Sequence, residues 1–171
     1  MSKVQLKKEL STLDREQLVQ LILDLYSARK EAKAYFDFFV DPDITKLTEK
    51  FRTEIDKEMM RGRYRKSTAR ISKVRTFIRD YSSYGIGAEA VIELMIYALK
   101  VGLHVERIKY VSKTFISGIT RLASDILKEG DKNAIFDSTL KLLEEALSGT
   151  YGYLNFVNYI RRELDWSIIQ R

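Results

Sequence analysis

A chain of 171 residues, 45% apolar and 32% charged, has the length of one domain and is too hydrophobic for disorder and too charged for a membrane protein. It holds no cysteine and a single histidine, His104, which excludes disulfides, thiolate nucleophiles and cysteine or histidine metal clusters, and fits a reducing, cytoplasmic setting. Net charge is +6, yet Arg61, Arg63, Arg65, Lys66, Arg70, Lys73, Arg75 and Arg79 form an acid-free run whose removal leaves −2, so the basicity is local.

At the start of the chain Lys7, Lys8 and Glu9 interrupt any apolar run of signal-peptide length. The longest apolar run, residues 94–99, falls far short of the roughly 20 residues of a membrane span. A short first helix is expected over residues 4–10. The second begins at Asp14, where Gln17 completes a capping box and Leu13 and Leu18 are spaced as a hydrophobic staple. Its stripe of Leu18, Leu21, Ile22 and Leu25, widened by Val19, Leu23 and Tyr26, predicts a well-buried helix. A third, over residues 28–40, carries Ala32, Tyr35, Phe36 and Phe39 and stops before Pro42, which is placed in the first turn of the fourth.

The fourth helix runs to about residue 60 on Ile44, Leu47, Phe51, Ile55 and Met59, and Gly62 ends it. A fifth is expected over residues 67–83. The sixth, residues 88–101, is apolar nearly all round and is the candidate central helix. The seventh, residues 106–129, has a seam of Ile108, Val111, Phe115, Ile119, Leu122 and Ile126, which places His104 in a connection. Breaks at Gly130 and Gly149 introduce an eighth and a ninth helix, over residues 131–148 and 151–169. No segment alternates as a half-buried strand does. The expected fold is therefore all-α: one domain over residues 1–171, a bundle of about nine helices built from antiparallel hairpins, with a short α-solenoid as the alternative. A hinge between an N-terminal subdomain and a C-terminal helical core is placed at residues 62–66.

Leu6-Lys-Lys-Glu-Leu10, Leu18-Val-Gln-Leu-Ile-Leu-Asp-Leu-Tyr26, Phe38-Phe-Val-Asp-Pro42 and Tyr81-Ser-Ser-Tyr-Gly-Ile-Gly87 together resemble a family of short bacterial proteins classed only as a domain of unknown function. That resemblance spans the chain and implies no catalytic or binding residues. The helix, loop and helix of residues 4–26 are similar, in leucine pattern alone, to SAP-type and Rho N-terminal modules that bind nucleic acid.

The basic run is the candidate polyanion site, because clustered Arg and Lys release counterions from phosphates and Tyr64, Tyr81 and Tyr84 stand nearby to stack on bases. Wound on one helix, Lys66, Arg70 and Lys73 form one stripe and Arg75 and Arg79 another, roughly 160–200° away. The structural alternative is pairing of these cations with Glu54, Glu58, Glu144 or Glu145. Acid pairs at Glu54/Glu58, Glu89/Glu93 and Asp125/Glu129 lack the Glu-x-x-His of a di-metal bundle. Gly85-Ile-Gly87 reads as a tight turn, since phosphate-binding loops are longer and follow a strand. Tyr151, Tyr153, Phe156, Tyr159 and Trp166 make the last helix the candidate partner-docking element. The function expected is a non-enzymatic protein-interaction module, self-association included, without cofactor, metal or membrane; the alternative is a nucleic-acid or other polyanion binder.

Overall fold

The computed structural model describes residues 2–149 and 151–164, and among them the chain forms nine helices and no strand. It divides into two compact units, Met1–Asp43 and Ile44–Arg171. The segment 62–66 lies inside the second unit, and the units part at Asp43.

The first unit holds α1 (Lys3–Leu10), α2 (Arg15–Ala28) and α3 (Lys30–Val40). Both of its first helices open on capping boxes: the Gln17 N–H donates to Asp14 Oδ1 at 2.8 Å while Gln17 Oε1 accepts the Asp14 N–H at 3.0 Å, and Ser2 and Gln5 repeat the arrangement. A single extended residue, Arg29, ends α2 and begins α3, and the Tyr26 hydroxyl donates to Asp37 across the hairpin at 2.8 Å. None of the helical residues of this unit is buried. The burial expected of α2 is thus corrected: Leu18 and Tyr26 are half-covered, but Val19, Leu21, Ile22, Leu23 and Leu25 stand exposed. Three short helices within some 40 residues are below the size at which a chain covers its own apolar surface.

The second unit holds α4 (Ile44–Met59), α5 (Ile71–Ser82), α6 (Ala88–Ile108), α7 (Lys113–Lys132), α8 (Phe136–Ser148) and α9 (Leu154–Glu163). It is a helical bundle about α6, which packs against α4, α5, α7 and α8. Leu94, Leu99 and Leu103 of α6 are fully enclosed, as are Ile55 and Met59 of α4 and Ile119, Ile126 and Leu127 of α7. A helix apolar on most of its faces needs neighbours on most of its sides; α6 has them, and leaves to solvent only the stripe that carries Glu89, Glu93 and His104.

Several boundaries differ from expectation, α8 opening at Phe136 and α9 at Leu154 among them. Pro42 precedes α4, which starts at Ile44. The fifth helix begins at Ile71: Arg70 is extended and stands as its N-cap, its backbone N–H taken by Glu58 at 3.1 Å, and the segment before it is tied by Ser67 N–H to the Tyr110 carbonyl (3.0 Å) and Thr68 N–H to the Arg61 carbonyl (3.1 Å). α6 continues to Ile108, so His104 lies on a helix and Ile108 and Val111 are outside α7, which opens at the Ser112 cap. Gly130 lies within α7 and is a point of close approach: a Cβ there would stand 2.7 Å from Cβ of Thr139 on α8. Gly102 has the same role in α6, where a Cβ would meet Ile119 Cδ1 at 2.3 Å.

Candidate polyanion interface

The eight cations of the basic run are distributed by the fold into three settings. Glu58, in the last turn of α4 and only 4% exposed, collects the first group. It accepts from Arg70 Nε and from the Arg70 backbone N–H, both at 3.1 Å, and from Arg61 at 3.2 Å, with Lys73 at 3.8 Å. Burial pushes the Glu58 carboxyl up, but the bonds from the Arg70 side chain and backbone and from Arg61 outweigh it and hold the group below its ordinary range. Glu58 is one of the acids expected as partners of this run.

Arg75 and Arg79 form the second group. Arg75 pairs with Asp125 of α7, and Arg79 lies 3.8 Å from Asp80. With Lys128 and Lys132 they edge an open groove of about 350 Å³ floored by Met95 and Leu122. Arg63, Arg65 and Lys66 form the third group, exposed on the segment between α4 and α5 and outside every ion pair among the described residues. The stripe predicted for Lys66, Arg70 and Lys73 is therefore corrected: Lys66 lies off the helix, and Arg70 is its N-cap, turned to Glu58.

Sequence reasoning missed the residues that adjoin this third group. Lys66 makes an isolated parallel bridge with Tyr110: the Tyr110 N–H donates to the Arg65 carbonyl, and the Ser67 N–H to the Tyr110 carbonyl. Lys109 Nζ donates to the Met60 carbonyl at 2.6 Å, at the end of α4. Two acid-free stretches, residues 60–70 and 107–113, so become one surface carrying five and three cations. Only the lack of acids after Glu106 signalled the second in the sequence.

The last helix divides its aromatic residues. Phe156, Val157 and Ile160 are buried and α9 packs on α7, so Phe156 is core rather than a docking residue. Tyr151, Tyr153 and Tyr159 remain exposed; Lys100 lies 5.4 Å from the Tyr151 ring, and the Tyr153 N–H donates to Glu106 at 3.4 Å. Trp166 lies outside the described residues. Among the described residues no group of three or more acidic or histidine side chains could hold a metal ion, and no helix is long and apolar enough to cross a membrane.

These features define an all-α protein with a basic, tyrosine-bearing surface on its helical bundle. The chain belongs to the family of unknown function DUF6155, whose sequence model matches residues 1–157. No curated protein and no solved structure matches it.

Proposed function

We propose that the chain is a non-enzymatic, cytoplasmic helical module that docks onto another protein chain through the first unit, with a second copy as the simplest partner. The observation that carries this reading is α2, where Val19, Leu21, Ile22, Leu23 and Leu25 are each 44–52% exposed. Exposed apolar surface gathered on one helix marks an interaction site more often than chance scatter does. Leu21 and Leu25 are one turn apart and share a face, the arrangement by which helices dock in grooves. The non-enzymatic part rests on composition, with one histidine and no cysteine available for catalysis.

Sedimentation velocity of the full chain over a range of concentrations tests the reading. The wild type is expected to form a concentration-dependent oligomer, and Leu21→Glu/Leu25→Glu a monomer of unchanged helical content. A wild type that stays monomeric, with the double variant indistinguishable from it, refutes docking of α2 onto a second copy.

A second reading, polyanion binding, is favoured by a separate observation within the bundle: the Lys66–Tyr110 bridge fuses two acid-free basic stretches into one surface.

A further inference from the structure

The fused surface carries two tyrosines whose rings do not pack in the core. Tyr64 is 98% exposed and Tyr110 74% exposed, so neither ring contributes to the core. Tyr64 also sits at φ +52°, a left-handed conformation in which a bulky side chain is a rare outlier and glycine would be the ordinary choice. A strained, fully exposed aromatic side chain between Arg63 and Arg65 has no packing role to justify it.

The segment that presents Tyr64 is held rather than loose. The Lys66 N–H donates to the Arg63 carbonyl at 3.2 Å and the Thr68 N–H to the Arg61 carbonyl at 3.1 Å, closing the turn on itself. Gly62, at φ +113°, passes so close to the Lys66 carbonyl that a Cβ there would clash with it. Backbone bonds on both sides of Tyr110 fix the second tyrosine to the same surface, and those bonds do not involve its ring. Exposed rings on held backbone beside unpaired cations are what stacking on unpaired bases requires.

Resting on the polyanion reading, we infer that this surface binds single-stranded nucleic acid, with Tyr64 and Tyr110 stacking on bases and Arg63, Arg65, Lys66, Lys109 and Lys113 neutralising phosphates. A duplex is disfavoured because its base faces are already stacked on one another and offer the rings nothing. Five cations on a single strand imply a log–log salt slope of about −3.5, so a fourfold rise in salt weakens binding roughly a hundredfold.

Fluorescence anisotropy of the full chain decides this, with labelled single strands of about 15 nucleotides, oligo(dT) and oligo(rU), a duplex of equal length, and heparin as a base-free polyanion. Tyr64→Gly, which suits the left-handed backbone, and Tyr110→Ala are each expected to weaken single-strand binding roughly tenfold and leave heparin binding unchanged. Tyr64→Phe is expected to bind as the wild type does, since it keeps the ring. Duplex bound as tightly as single strand, or tyrosine variants bound as tightly as wild type, overturns the inference while leaving polyanion binding intact. Absence of binding to every probe, with Arg63→Glu/Arg65→Glu/Lys66→Glu indistinguishable from wild type, refutes both.

Discussion

Glu58 accepts both the guanidinium Nε–H and the backbone N–H of Arg70 at 3.1 Å, so one buried carboxylate anchors a side chain and starts a helix. Twelve residues separate the partners in sequence, and the bond closes the loop between α4 and α5. Glu58→Gln keeps an acceptor but removes the charge on which Arg61, Arg70 and Lys73 converge. Hydrogen bonds to charged groups contribute roughly 1.5–3 kcal/mol each, and the cations regain some hydration, so a net loss of about 2 kcal/mol is expected in urea unfolding. The same substitution frees three cations and is expected to tighten heparin binding. Because the folded carboxyl lies below its ordinary value of 4.5, its stabilisation is complete above that pH and is lost as pH falls through the folded value. The advantage of wild type over Glu58→Gln should therefore shrink on acidification below about pH 4.5 and stay level above it.

Tyr97 on α6 donates to both carboxylate oxygens of Asp56 on α4, at 2.8 and 2.7 Å. Burial, and next the Asp56 bond, push its hydroxyl up from 10.0 to about 12. A raised folded value stabilises the neutral phenol: the contribution is full below pH 10.0 and disappears as pH rises through about 12. Ultraviolet titration should show a tyrosine ionising near pH 12 in the wild type. In Asp56→Asn that late ionisation should move towards 10.0; a curve unaltered by the substitution refutes the coupling.

Gly130→Ala tests whether this residue is a helix break or a contact. By helix propensity alone the substitution should stabilise α7 by about 1 kcal/mol. The structure predicts the opposite sign, since the added Cβ meets Cβ and Cγ2 of Thr139 at 2.7 and 2.9 Å, close to the backbone of α8 where little can yield. Overpacking of this kind costs about 1–3 kcal/mol, and a fall of several degrees in Tm is expected by calorimetry. An unchanged or raised Tm would mean that α7 and α8 are less closely packed than described.

Much of the fold was legible because it is written locally. Asp14 and Gln17 announce the start of α2 by the chemistry of their own side chains, and the nearly all-round apolar character of residues 88–101 marks α6 as central before any contact is known. Boundaries failed where a distant residue intervened. Residues 67–70 carry a helical pattern, but Glu58 of α4 takes the Arg70 backbone N–H and Arg70 is extended, so the helix starts only after it. Gly130 looks like punctuation and is instead a narrow place where α7 and α8 touch, as Gly102 is between α6 and α7.

The candidate sites divide the same way. Composition located the basic run and its lack of acids, and excluded cysteine chemistry, because charge and residue type are properties of the chain itself. Helical winding could not tell that Arg70 and Lys73 converge on Glu58, that Arg75 meets Asp125, or that Lys66 lies beside Tyr110. The sequence alone therefore determined helical class, caps, central helix and local charge, all of which arise from interactions within a few residues. Tertiary structure decided how Arg70, Lys73 and Arg75 are neutralised, which tyrosines stay exposed and which leucines remain uncovered, because each depends on which other segments of the chain pack against them.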